Sequence, residues 1–368
     1  MIINKTHILM SFLPEHKEDA EKFFEVYDIA GFDFAKEDTT TELKVPNKNK
    51  VCRFCNLSSP KVKFDNDAHT IPEFLGNRGS ISDFECDTCN KHFGRIENQL
   101  SNFIGAAPTL NRTRGKKKIP TSPSYDKKII AKKINFYNAN TAIEVGSTEN
   151  SSDNISYDEE RNRYTIEFIT QPYIPYDVYK AFLKMAIGLL PESELKDYKF
   201  ALELLQDFRN RKFVQNEILS VFTHHLSTPY TYTGIFLFKK RNSSSPAPPL
   251  SFVLFYGHVM FQIYIPFSLK YMKKLLVGPI MFPLLPPIQP TKDLKDFQYS
   301  QELEKLDSVF ATTRKQHISF VPDNRDKKLV SMDPITKEMK DHVLDPHNIV
   351  KFIIIDDPDF RIPFSSPC

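Results

Sequence analysis

Residues 67–98 read DAHTIPEFLGNRGSISDFECDTCNKHFGRIEN. The stretch is poor in apolar residues, yet it holds a lone His69 before Ile71-Pro72 and a Cys-x-x-Cys that runs straight into Asn90. A packed core does not call for that combination. A second Cys-x-x-Cys, Cys52 and Cys55, lies upstream of Cys86 and Cys89. Two thiolates spaced in this way form a knuckle that chelates one ion. Two knuckles make a closed four-thiolate tetrahedron, which suits structural Zn2+. The 30 residues between Cys55 and Cys86 exceed the ~15–20 of a common zinc ribbon, so something is built between the knuckles. Cys368 is given no role.

The insertion begins with VKFDNDAHTIPEF, residues 62–74. A strand over 62–69 is expected to point Phe64 and Ala68 one way and Asp65, Asp67 and His69 the other, with Pro72 ending it. ISDFE, residues 81–85, reads as a short returning strand. CDTCNKHFGRIENQLSNFIG then reads as a helix, with Asp87 or Thr88 as N-cap and Phe93, Ile96, Leu100 and Ile104 as its inner stripe. Asn90 and Glu97 share a face two turns apart, whereas His92 points elsewhere. Gly76 is expected to serve a turn and Gly94 to allow close packing.

With C-x-x-C, then AHTIPEFLGN, then CDTCNKHFGRIENQL in that order, the segment resembles HNH endonucleases. It is most similar to the subgroup whose ββα-metal fold is braced by a four-cysteine zinc site. The likeness covers about 55 residues, 52–105. It implies a metal-dependent endonuclease that hydrolyses phosphodiester bonds in nucleic acid, with DNA the expected substrate. His69 matches the general base that activates water. Asn90 matches the position that helps hold one catalytic divalent ion (Mg2+, Mn2+ or Ni2+). The family usually has Asp, Glu or His just before the catalytic His; here Ala68 stands there, and it cannot bind an ion. Glu97 is the preferred substitute ligand and Asp67 or Asp65 the alternatives; otherwise the site is weak or dead. A non-catalytic zinc module that only binds nucleic acid is the rival reading. A sensor or interaction protein with the nuclease as its output is the other.

The remainder of the 368 residues is less explicit. The net charge of +3 says little about partners, and 31 Phe compensate for the absence of Trp. HKEDAEKFFEVYDIA, residues 16–30, places Ala20, Phe23, Phe24 and Tyr27 on one helical face. RTRGKKKIPTSPSYDKKIIAKK, residues 112–133, holds nine Lys or Arg and one Asp; beside a nuclease motif it is expected to touch phosphates. Residues 176–208 read as two helices around Pro191, the first with a stripe of Val178, Phe182, Met185, Ala186 and Leu189. TGIFLFKK and LSFVLFYGHVMFQIYIP read as strands. The aromatic strand suits sheet packing better than base stacking, and adjacent His224 and His225 suit one buried and one exposed side chain near a helix end better than a metal.

The expected architecture is α+β, with an antiparallel sheet in the larger part. The expected segments are a helical lead-in at 1–49, the nuclease domain at 50–106, a basic linker at 107–133 and an α+β domain of unassigned role at 134–368. No secretory signal is read at MIINKTHILMSFLPEH, and LLVGPIMFPLLPPI has too many prolines for a membrane span. A cytoplasmic protein is expected.

Overall fold

A computed structural model describes residues 10–36, 50–115, 117–135, 142–149, 151–206, 218–241, 244–272, 280–288, 299–321, 330–332, 339–341 and 349–355. Cys368 and most of the polar linker before Val51 lie outside these residues. In chain order the first elements are α1 (Lys17–Val26), β1 (Tyr27–Phe34), β2 (Ala68–His69), β3 (Ile81–Ser82), α2 (Asp87–Ile104) and α3 (Ala107–Leu110). Then come β4 (Ser122–Pro123), β5 (Ile129–Lys133), β6 (Ile143–Ser147), β7 (Ile155–Asp158), β8 (Arg163–Ile169), α4 (Pro175–Leu189) and α5 (Lys199–Gln206). The remainder are β9 (Ser220–Leu226), β10 (Gly234–Lys240), β11 (Leu250–Tyr256), β12 (Val259–Ile265), α6 (Leu269–Met272), β13 (Tyr299–Lys305), β14 (Lys315–Phe320), β15 (Val330–Met332), β16 (Met339–Asp341) and β17 (Lys351–Ile354).

Two compact units interleave along the chain. One holds residues 1–100 and 173–311, the other 101–172 and 312–368. This division differs from the contiguous segments expected from the sequence, because strand pairing ties residues far apart in the chain.

The first unit is organised by a six-stranded antiparallel sheet in the order β1-β10-β11-β12-β9-β13. One face carries Phe23 and Tyr27 from the α1–β1 segment against Phe238, Val253 and Tyr264. The other face meets α4 through Phe182, whose ring lies 6.4 Å from Phe252 and 5.6 Å from Phe261. Cover on both faces explains why every residue of β11 is buried, and why β10 to β12 read as nearly unbroken apolar runs rather than alternating ones. The helical lead-in thus also supplies an edge strand, which the sequence reading missed. Gly31 sits at the irregularity of β1, where a Cβ would lie 2.7 Å from Leu189 O; only glycine lets strand and helix end approach so closely.

The second unit contains a four-stranded sheet, β17-β6-β5-β4, and a three-stranded one, β14-β8-β7. Ile129, Val145, Ile166 and Phe168 form its core. The basic stretch is therefore not a bare linker: β4 and β5 lie in it, Lys132 pairs with Glu144 at 3.1 Å, and Arg112 donates to Ile354 O at 3.1 Å. No helix among the described residues is long and apolar enough to cross a membrane.

Candidate active site

The four cysteine sulfurs converge. All lie within 4.8 Å of one another, and Cys55 Sγ is 3.8 Å from Cys86 Sγ. A tetrahedron with ~2.3 Å metal–sulfur bonds has edges of about 3.8 Å, so the donor set fits a zinc ion. The turn geometry fits as well. Asn56 N–H donates to Cys52 O at 2.8 Å with Asn56 at φ 56°, and Cys86 N–H points at Cys52 Sγ at 3.5 Å. The hydrogen bond with Cys89, then the N–H groups of Cys55 and Cys86, hold the Cys52 thiol well below its usual range against its burial, while Cys55 and Cys89 are pushed up. Among the described residues this is the one group of three or more His, Cys, Asp or Glu donors able to hold a metal.

Between the knuckles the chain makes a two-residue ladder, Ala68 opposite Ser82 and His69 opposite Ile81. The long strand expected over 62–69 is absent. Asp87 accounts for this: its carboxylate accepts the N–H groups of Asp65 at 3.3 Å and Asn66 at 2.9 Å. Backbone donors satisfied by a side chain have no need of a ladder. The returning strand is equally short, ending at Ser82. α2 follows as expected, and Phe93, Ile96, Leu100 and Ile104 are all buried. His92 turns from the site to place Nε2 2.9 Å from Leu205 O. Gly94 is exposed, with nothing within 4 Å of a Cβ built on it; close packing is not its role.

Asn90, near the start of α2, reaches the segment that precedes His69. Asn90 Nδ2 donates to Asp67 O at 3.4 Å, two residues before His69, which leaves the carboxamide oxygen for another partner. Asn90 also lines an open cavity with Asn66, Asp87, Thr88 and Lys91. The His69 ring is largely enclosed: Nε2 lies 3.3 Å from Glu73 Oε1, and Nδ1 is shielded with no hydrogen-bond partner. Ala68 is buried and offers no ligand. Asp65 and Asp67 are exposed on the irregular segment.

Glu97 does not stand free on its helix face. Its Oε1 accepts a hydrogen bond from Lys184 Nζ at 3.0 Å. The ammonium, reaching in from α4, also donates to His69 O at 2.7 Å and lies 3.3 Å from Glu85 Oε2. Burial alone would lower the pKa of Lys184, but Glu97 and then Glu85 outweigh it and hold the ammonium above its usual range. Burial pushes Glu85 up to about 7 against the pull of Lys184.

Asn77 is the brace that the sequence reading missed. It is fully buried between β2 and β3. Its Nδ2 donates to Ile71 O at 2.8 Å and Ser80 O at 2.9 Å, while its Oδ1 accepts from Ser80 N–H at 2.9 Å and Lys36 N–H at 3.3 Å. Gly76, at φ 91°, makes the turn that presents it. The available signal was the dipeptide Gly76-Asn77, which reads as a turn. For Glu73 the signal was its spacing of four residues from His69, and for Lys184 there was none.

His224 and His225 lie in strand β9 rather than near a helix end, the first buried and the second half-buried. His225 lies 3.3 Å from Glu302.

The HNH endonuclease family matches residues 52–102. That match spans the four cysteines, the β2–β3 hairpin and most of α2, the same segment whose motif order resembles the family. Neither the curated proteins nor the solved structures compared contained a match.

Proposed function

We propose that this chain is a metal-dependent endonuclease acting on phosphodiester bonds in DNA, with zinc in the cysteine cluster as a structural brace. In this reading His69 accepts the proton of the attacking water at Nε2, the nitrogen 3.3 Å from Glu73 Oε1, since Nδ1 is shielded. A neutral imidazole is suited to proton transfer at cellular pH. Asn90, tethered by its amide nitrogen to the Asp67 carbonyl, presents its oxygen to a divalent ion. A bound divalent ion at that position supplies charge stabilisation to the phosphate and the departing oxygen. The reading assigns Glu97 to the ion pair with Lys184 rather than to the metal. The Lys and Arg side chains that follow α2 in the chain serve as sequence-independent phosphate contacts.

The observation that carries the reading is the contact of Asn90 with Asp67, two residues before His69, beside an open cavity that Asn90 lines, within a segment that matches a nuclease family. Buried Ala68 favours a second reading, a zinc-stabilised module that binds nucleic acid without cutting it. A plasmid-nicking assay with Mg2+, Mn2+ or Ni2+ separates them, with His69→Ala run beside wild type. Metal-dependent nicking that disappears in His69→Ala while binding persists is expected; binding without nicking in every metal supports the module.

A further inference from the structure

The hairpin that carries His69 has little strand ladder of its own. Its ladder is two residue pairs long, and the preceding residues are held by side chains. A general base must nevertheless be fixed within a few tenths of an ångström, since misplacement by 1 Å costs on the order of 100-fold in rate. Asn77 braces the loop at Ile71 and Ser80, but the main-chain carbonyl of His69 itself is held from outside the matched segment.

Lys184 is the residue that holds it. Its side chain is 4% exposed, and the ammonium touches three parts of the site at once. These are the main-chain carbonyl of His69 at 2.7 Å, Glu97 on α2 at 3.0 Å and Glu85 beside the second knuckle at 3.3 Å. The helix that carries it is anchored to the first knuckle. Arg53 Nη1 donates to the carbonyls of Ile187, Gly188 and Leu190 at 3.1, 2.9 and 2.7 Å, and its guanidinium stacks on Phe84 at 3.8 Å. Stability is a weak reason for such an arrangement. Burying an ammonium with two carboxylates is often no better than an apolar side chain of the same volume. A directional donor set is what an apolar residue would lack.

We propose that Lys184 is a positioning residue for the reaction proposed above: it fixes the His69 strand against α2 through the His69 carbonyl. α4 then completes the nuclease site rather than merely packing beside it. The inference rests on the nuclease reading.

The test compares wild type, His69→Ala and Lys184→Met in full-length, zinc-loaded protein, measuring kcat and KM for Mn2+-dependent plasmid cleavage together with zinc content and thermal unfolding. Lys184→Met is expected to keep one zinc per chain and a KM within about twofold of wild type, while kcat falls about 100-fold. A wild-type kcat in Lys184→Met, or a loss confined to KM, overturns the proposal and leaves the nuclease reading standing. Where Lys184→Met does not fold, Lys184→Met/Glu85→Gln, which removes one cation and one anion together, is measured in the same way. Failure of that variant to yield folded, zinc-loaded protein also overturns the proposal, because Lys184 is then needed for folding. A wild-type protein that does not cut, or a His69→Ala variant that cuts normally, removes the nuclease reading and this inference with it.

Discussion

Asn77 shows how much one side chain can determine in this site. A carboxamide has two donor hydrogens and two acceptor lone pairs, and all four meet main-chain groups of the loop between His69 and Ile81 or of Lys36. Removing it strands buried donors and acceptors, each costing ~1–3 kcal/mol. Asn77→Ala is therefore expected to lower unfolding free energy by about 3 kcal/mol in urea denaturation, and a loss below about 0.5 kcal/mol would show that the loop is held otherwise. His69 and Asn90 stood out in the sequence because the motif order around them resembles a nuclease family, and the cysteines because zinc needs that spacing. Asn77 and Lys184 were not, because both act on main-chain oxygens, which carry no sequence signature. Lys184 also lies 115 residues from the carbonyl it holds.

The helices followed from their periodicity, whereas several strands did not. α2 shows its buried stripe plainly. α4 shows one too, but it is buried almost all round, Lys180 and Lys184 included, because sheet and zinc segment pack against it. β1 escaped notice because its YDIAGFDF is interrupted by two Asp and a Gly and lies at a sheet edge. β9 carries the clearest titratable liability. Burial, then His16 and His225, lower the His224 pKa to about 4, and both ring nitrogens are shielded without partners. The unfolded chain takes up this proton near pH 6.5 and the folded chain only near 4, so acidification favours unfolding. This contribution is fully present above pH 6.5 and is lost as pH falls toward 4. The expected size is about 3 kcal/mol at ~1.4 kcal/mol per pH unit. His224→Phe should flatten the dependence of unfolding free energy on pH across that window; an unchanged slope would place the acid sensitivity elsewhere.

At the scale of the molecule, the zinc segment belongs to the same compact unit as the six-stranded sheet. Its hairpin loop is tied to residues on both sides of it in the chain. Lys36 O accepts from Arg78 and Gly79 N–H, Asp33 accepts the Ser80 hydroxyl, and Thr233 Oγ1 donates to Leu75 O at 2.7 Å. Contiguous reading of the sequence could not reveal this, since the ties join residues more than 40 and more than 150 positions apart. Local pattern pointed to the cysteine cluster and its segment, and long-range contacts explain how that segment is held. The central claim is that one imidazole and one carboxamide share a hydrolytic centre. Anomalous diffraction from crystals of the full chain soaked in Mn2+ tests it most directly. The account predicts an ion bound by the Asn90 oxygen on the side facing His69; an ion bound elsewhere, with Asn90 uninvolved at saturating Mn2+, would contradict it.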